Sequence, residues 1–341
     1  MEEMVKAKLI FMFPGQGSQK ERMGKDIFTR YEKAKQIWAM ASDIYGEDLA
    51  EICFKKPYRE MQRTDHAQIL IGTISVTLLE LLKEEGICPD IVLGHSAGEM
   101  AALYASGAVG LEDIFKLITC RGKFMYKSAK QSRGKMVVIK DIEHDHTSHV
   151  MEKYREAGVI SLANYNAPTQ FVITGDYDTV SKFQREMSKI TPGEAVDLEQ
   201  QGAWHSVYMT EARQRFAEVI AKIELKKPCI PIIFNYSAEF KENIEEIRVQ
   251  LTDILTAPVL WYQCLRKLSA YTNSTFAEVG PNKILRGLLR RSFHSSSINS
   301  YKIMNVNDTY TLDKAVSKMK EKIVVEPGLY NKGVMYEELP V

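Results

Sequence analysis

The chain has 341 residues, 45% of them apolar and 26% charged, with 45 Lys plus Arg against 44 Asp plus Glu. This composition describes a globular protein and excludes a global charge field that would draw the chain to nucleic acid or a membrane surface. No apolar run reaches the ~20 residues that a bilayer span needs, which leaves one large unit, or a large unit with a smaller insert.

The N-terminal stretch MEEMVKAKLIFMF opens with acids and leads into Pro-Gly, so it reads as a first strand, LIFMF (9–13), rather than a secretory leader. A PGQGS loop follows. HAQILIGTISVTLLELLKEEG (66–86) has helical periodicity and ends at a glycine. DIVLG (90–94) is a buried strand and AGEMAALYASG (97–107) the next helix. Strand, helix, strand, turn, helix is an α/β pattern. From Gly134 the order changes. Strand KMVVIKD, helix HTSHVMEKYREAG and strands VISLAN and QFVITG are followed by helix YDTVSKFQREMSKI and strand GEAVDL. That is βαββαβ, the ferredoxin-like order, and it predicts a small subdomain over 133–199 inserted into a larger one formed by 1–132 and 200–310. IPIIFNYS (230–237) and STFAEVG (274–280) resume buried-strand character. In the final segment, 311–341, Leu312, Val316, Met319 and Ile323 have helical spacing, so a helix packed on the body is expected, with a loose end over 324–341. The cysteines, Cys53, Cys88, Cys120, Cys229 and Cys264, are scattered and form no CxxC, which predicts reduced thiols in a cytoplasmic protein.

Gly94-His95-Ser96-Ala97-Gly98 fits GxSxG, the turn that lifts a serine nucleophile to the apex between a strand and a helix. The Ala97 N–H at the helix start can face an oxyanion. The serine needs a base. His66 lies in a helical stretch and suits packing. His95 adjoins the serine but should point away from it, toward a structural or substrate-orienting role. His144, His146 and His149 form HDHTSH, read as a solvated loop with no metal. His294, in RRSFHSSS, reads as surface. His205, in QGAWHSVYM, is flanked by apolar residues just after the insert and is the best base. No acid stands out between Ser96 and His205; a backbone or amide oxygen could orient the imidazole instead.

FPGQGSQ (13–19), GHSAGE (94–99), RGKFM (121–125), NYNAP (164–168), AWHS (203–206), PVLW (258–261) and EVGPNKILRGLLRR (278–291) occur in that order. The sequence resembles the malonyl-CoA:acyl carrier protein transacylases, and more narrowly the free-standing acyltransferases that serve polyketide synthases. The resemblance implies an α/β-hydrolase-like core with a mainly parallel sheet and an inserted ferredoxin-like (βαββαβ) subdomain. It implies that Ser96 carries the acyl group and that His205 is general base, held by a main-chain carbonyl near PVLW. Gln16 would join Ala97 in the oxyanion hole, and Arg121 would pair with the malonyl carboxylate. Trp204, a bulky ring before the histidine, would favour malonyl over α-branched groups, and His95, Met125 and Asn164 belong to the same substrate side. Where the family has glutamine on the substrate side, seven residues before the tryptophan of PVxW, this chain has Ile254, which keeps a role carried by the main-chain carbonyl and loses any side-chain hydrogen bond to substrate; a shift of one residue would give Asp253 and an altered polar contact.

The implied reaction moves malonyl from malonyl-CoA to the phosphopantetheine thiol of an acyl carrier protein, in polyketide or fatty-acid synthesis. It needs no cofactor or metal, and the expected form is a monomer. Lys283, Arg286, Arg290 and Arg291 are candidate contacts to the acidic carrier. Two other readings use the same residues: a hydrolase that clears acyl groups from carriers, which has no need of Arg121, and a non-catalytic carrier-binding subunit.

Overall fold

The computed structural model describes residues 7–190, 193–198, 202–293 and 301–325, and of 321–325 the backbone alone. Its first sheet has six strands: β1 (Leu9–Phe13), β2 (Ile91–Gly94), β7 (Ile232–Phe234), β8 (Glu239–Phe240), β9 (Thr275–Val279) and β10 (Lys302–Val306). The order is β10-β9-β1-β2-β7-β8, parallel throughout except for the β7–β8 hairpin. β1 and β9 are buried at every position, as in a parallel sheet covered on both faces; β1 is a continuous apolar run, and β9 is apolar except for Thr275 and Glu278. β10 was not anticipated: KIMNV alternates poorly and is half exposed, since an edge strand buries only part of itself.

The second sheet holds β3 (Gly134–Lys140), β4 (Ile160–Ala167), β5 (Gln170–Asp176) and β6 (Glu194–Asp197). Its order is β4-β5-β3-β6, all antiparallel, the ferredoxin-like arrangement expected from βαββαβ. Period-2 alternation divides its labour. Val137, Ile139, Phe171 and Ile173 face the sheet's own helices and form a separate core with Val150, Val180, Phe183 and Met187. Met136, Val138 and Val172 face the other way and join the core of the larger body.

Thr64–Glu84 is the central helix of that body. By length and composition it could cross a membrane, but 94% of its most apolar window is buried inside the protein. A helix that is apolar all round belongs either in a lipid bilayer or in a large core, and here the Leu111–Gln131 helix and the parallel sheet enclose it. The helix expected near the C-terminus runs Thr309–Val325 and buries Leu312, Ala315 and Met319 against the body. His294 and residues 326–341 lie outside the described residues.

Candidate active site

The carboxyl ends of adjacent parallel strands are where open α/β sheets place ligands, and two loops meet there. β1 passes into Pro14-Gly15-Gln16-Gly17-Ser18, and β2 turns through His95 and Ser96 into the Gly98–Ala105 helix. The His95 N–H donates to Phe13 O at 2.9 Å and ties the loops together. A Cβ on Gly98 would lie 2.1 Å from that same oxygen, so only glycine lets the helix start this close to β1. Ser96 has φ 50, in the left-handed region that residues with a Cβ seldom adopt.

Asn235, fully buried in the turn after β7, holds the strained turn. Its Oδ1 accepts the Ser96 N–H at 2.7 Å and its Nδ2 donates to Gly94 O at 2.7 Å. Its own N–H donates to Glu99 Oε2 at 2.6 Å. The PVLW segment joins the two sheets behind this turn: Val259 exchanges hydrogen bonds with β4, and the Leu260 N–H donates to Asn235 O at 3.0 Å. Trp261 is fully buried with its ring edge-on to His95, 5.3 Å between centroids.

His205 Nε2 lies 2.8 Å from Ser96 Oγ, and its Nδ1 lies 2.7 Å from the Ile254 carbonyl oxygen. A carbonyl only accepts, so Nδ1 carries the hydrogen and Nε2 presents its lone pair to the serine hydroxyl. Burial first, and then the Arg121 cation, push the His205 pKa down to about 3, so the ring is a neutral proton acceptor at ordinary pH. Arg121, 1% exposed, comes from the middle of the Leu111–Gln131 helix. Its NH1 donates to Gln68 Oε1 at 2.5 Å and its NH2 to Ser96 Oγ at 3.4 Å. Burial lowers its pKa to about 10, opposed by the charge of Glu99, and it remains a cation. No carboxylate is bonded to it among the described residues.

These groups line one cavity of about 240 Å³. Gln16, His95, Ser96, Ala97, Arg121 and Met125 line it from the larger body, together with Trp204 and His205; Asn164, Met136, Val138 and Val172 close it from the smaller sheet. Ala97 is the N-cap of the Gly98–Ala105 helix, so its N–H belongs to a first turn without an intrahelical acceptor. The site thus combines a hydroxyl, a neutral imidazole, backbone donors and an unneutralised cation, the groups needed to transfer an acyl unit that carries its own negative charge.

A family model described as acyl transferase domain matches residues 10–322. The malonyl CoA-acyl carrier protein transacylase of Bacillus subtilis (strain 168) is 33% identical over 93% of this chain and 98% of its own length. The polyketide biosynthesis malonyl CoA-acyl carrier protein transacylase PksC of the same strain is 31% identical over 83% of this chain and 96% of its own. A solved type II PKS malonyl-transacylase, in complex with its acyl-carrier protein (PlMCAT:AntF), is 28% identical and covers 92% of this chain and 100% of its own, with a TM-score of 0.85. The chain belongs to the malonyl CoA-acyl carrier protein transacylase family of acyl transferases.

In this transacylase-family chain the structure gives Ile254 the carbonyl role and corrects its placement among the substrate-contacting residues. Its side chain is 1% exposed in the core, just past the Ile244–Asp253 helix, and does not line the cavity; only its carbonyl takes part, behind His205. Asp253 does not line it either, being held by Arg213 at 2.8 Å. HDHTSH is not a loop: Thr147, Val150 and Met151 pack as one face of the His144–Glu152 helix, and His144 stacks on Tyr165. His66 is buried, with Nδ1 2.8 Å from Glu60 O. His95 points to Asn166, Nε2 to Oδ1 2.8 Å, away from Ser96. Among the described residues no cluster of three or more His, Cys, Asp or Glu could hold a metal ion.

The Ile284–Ser292 helix borders the cavity through Ile284, Leu285 and Leu288. Of the four basic candidates around it, Lys283, Arg290 and Arg291 are exposed. Arg286 is half-buried and bonded to Asn305, and Arg291 pairs with Asp141 at 3.0 Å. Gln68, Glu99, Asn166 and Asn235 were missed. GHSAGE contains Glu99, but nothing local marks it as a support for the turn, because its partner Asn235 is 136 residues away.

Proposed function

We propose that the chain transfers malonyl from malonyl-CoA to the phosphopantetheine thiol of an acyl carrier protein through an ester on Ser96. The observation that carries this reading is the buried Arg121 guanidinium 3.4 Å from Ser96 Oγ, with no carboxylate bonded to it among the described residues. A cation desolvated to that degree is costly unless an anion arrives. The free carboxylate of a malonyl group supplies one, and a guanidinium matches it in a planar, two-toothed geometry.

His205 Nε2 takes the Ser96 proton as Oγ attacks the thioester carbonyl. The N–H groups of Gln16 and Ala97 receive the charge that develops on oxygen, and His205 returns the proton to the departing CoA sulfur. In the second half-reaction the carrier thiol attacks the ester, with His205 again taking the proton and Ser96 leaving. The Ile254 carbonyl keeps the imidazole in the required tautomer throughout, as a carboxylate does in other hydrolytic sites. Trp204 crowds the space beside the acyl carbon and favours an unbranched group. Lys283 and Arg290 lie at the border where an acidic carrier would dock. Every step uses protein groups and the two thioesters.

The test is incubation with labelled malonyl-CoA or acetyl-CoA, with and without holo-carrier protein. Label on Ser96, then on the carrier, from malonyl-CoA in preference to acetyl-CoA is the expected result. Free acid released from acyl-carrier without any loading identifies a hydrolase instead. Absence of an acyl adduct, with carrier binding retained, identifies a non-catalytic subunit.

A further inference from the structure

Behind the cavity a line of buried polar side chains runs from Arg121 to the Gln16 loop. Arg121 NH1 donates to Gln68 Oε1 at 2.5 Å, Gln68 Nε2 donates to Thr64 Oγ1 at 3.0 Å, and Thr64 Oγ1 donates to Gln16 Oε1 at 2.7 Å. Thr64, Gln68 and Arg121 are 3%, 2% and 1% exposed, so water does not substitute for the bonds among them, and the line reaches the cavity at the half-buried Gln16. Thr64 and Gln68 occupy successive turns of the central helix, four residues apart on one face. Gly122 brings the Arg121 helix close enough: a Cβ there would lie 3.0 Å from Asp65 Cα.

The direction of the line follows from chemistry. Arginine has no acceptor, so the Gln68 atom facing it is the carbonyl oxygen. The Gln68 amide nitrogen then faces Thr64, and its contact with Met125 Sδ, 3.3 Å, uses a weak acceptor. Thr64 has one hydrogen, and with its oxygen accepting from Gln68 that hydrogen goes to Gln16 Oε1. Each orientation fixes the next, and all of them begin at the cation.

We infer that Thr64 is a positioning residue that couples recognition of the acyl carboxylate at Arg121 to placement of the Gln16 oxyanion loop. This rests on the transfer reading above. An acyl group with a carboxylate engages Arg121 and settles the line in one arrangement; an acyl group without one leaves that end unengaged. Selectivity is then expressed in the rate of Ser96 acylation as well as in binding.

The experiment measures single-turnover acylation of Ser96 by malonyl-CoA and acetyl-CoA in Thr64→Val, Thr64→Ser and the same changes made on Arg121→Ala. Val fills the same volume and removes both bonds. The expected result is a fall in malonyl acylation of about five- to 150-fold, the effect of orphaning the buried Gln68 amide, Gln16 being half-buried. Acetyl acylation falls less, and Thr64→Ser returns malonyl to within about threefold. On Arg121→Ala, Thr64→Val changes the malonyl rate by less than about threefold, because the coupled partner is already gone. Equal losses for both thioesters, identical with and without Arg121, would overturn the inference and leave Thr64 a purely structural residue. If Thr64→Val does not fold, Thr64→Ala is judged by the same ratios. Failure of the transfer reading is distinguishable, since the unmodified protein would then form no acyl-serine from either thioester.

Discussion

Asn235→Ala tests how the nucleophile is held. The fully buried side chain satisfies two backbone groups of the serine turn, the Ser96 N–H and Gly94 O, both at 2.7 Å. Truncation leaves both unpaired, at about 1–3 kcal/mol for each orphaned group. Ser96 at φ 50 holds a further ~1–3 kcal/mol of backbone strain that the surrounding bonds must outweigh. With those bonds gone the turn relaxes and carries Oγ off His205. A displacement near 1 Å costs about 100-fold in rate. The assay is stopped-flow release of CoA thiol in a single turnover, with intact mass spectrometry of the acyl-serine and a thermal melt alongside. The expected result is a melting point several degrees lower, since the loss is roughly 2–6 kcal/mol, together with acylation slowed by about two orders of magnitude. Wild-type acylation with a wild-type melt would refute the assignment of Asn235 as the support of the turn.

Ile254→Val removes one buried methylene and leaves the carbonyl that faces His205. A stability loss of about 0.5–1.5 kcal/mol with unchanged acylation is expected in urea melts and single-turnover assays, and a large loss of rate would contradict a backbone-only role. The His205 pKa lowered to about 3 by burial and Arg121 keeps the ring neutral far below its ordinary 6.5. The acylation rate measured from pH 8 to pH 5 should therefore show no acid limb near 6.5, and such a limb would mean that the base is solvated in the working enzyme. Glu99 is fully buried, and burial raises its pKa from 4.5 to about 8. Across that window the folded state keeps a proton that the unfolded state has lost, so folding stability declines as pH rises from 4.5 to 8. Glu99→Gln should flatten part of that decline in urea midpoints at pH 5 and pH 8.5, and parallel pH dependence in the two proteins would refute it.

Most strands of both sheets were legible because burial on two faces leaves continuous apolar runs, as in Leu9–Phe13 and Met136 through Ile139; the edge strands β8 and β10 bury too little of themselves to leave one. The serine turn was legible because its glycines and its strand-to-helix setting are local. What escaped was held by contacts between distant positions. Asn235 reads as an ordinary residue inside the strand-like stretch IPIIFNYS, and only the approach of β7 to β2 turns it into the support of Ser96. The group that orients His205 is a main-chain oxygen, which leaves no mark in residue type. The first turns of the His144–Glu152 helix were read as a loop because His, Asp, Thr and Ser are common in loops, while Val150 and Met151 buried against the small sheet decide the outcome.

Both members of the proposed reacting pair have left-handed backbones, Ser96 at φ 50 and His205 at φ 59. Glycine adopts that conformation without strain, and glycine carries neither a hydroxyl nor an imidazole. At these two positions selection for a more stable fold and selection for turnover therefore favour different residues. A lineage that no longer needed the chemistry would drift toward glycine at 96 and 205 while keeping the fold. The two angles thus give a way to tell working relatives from retired ones.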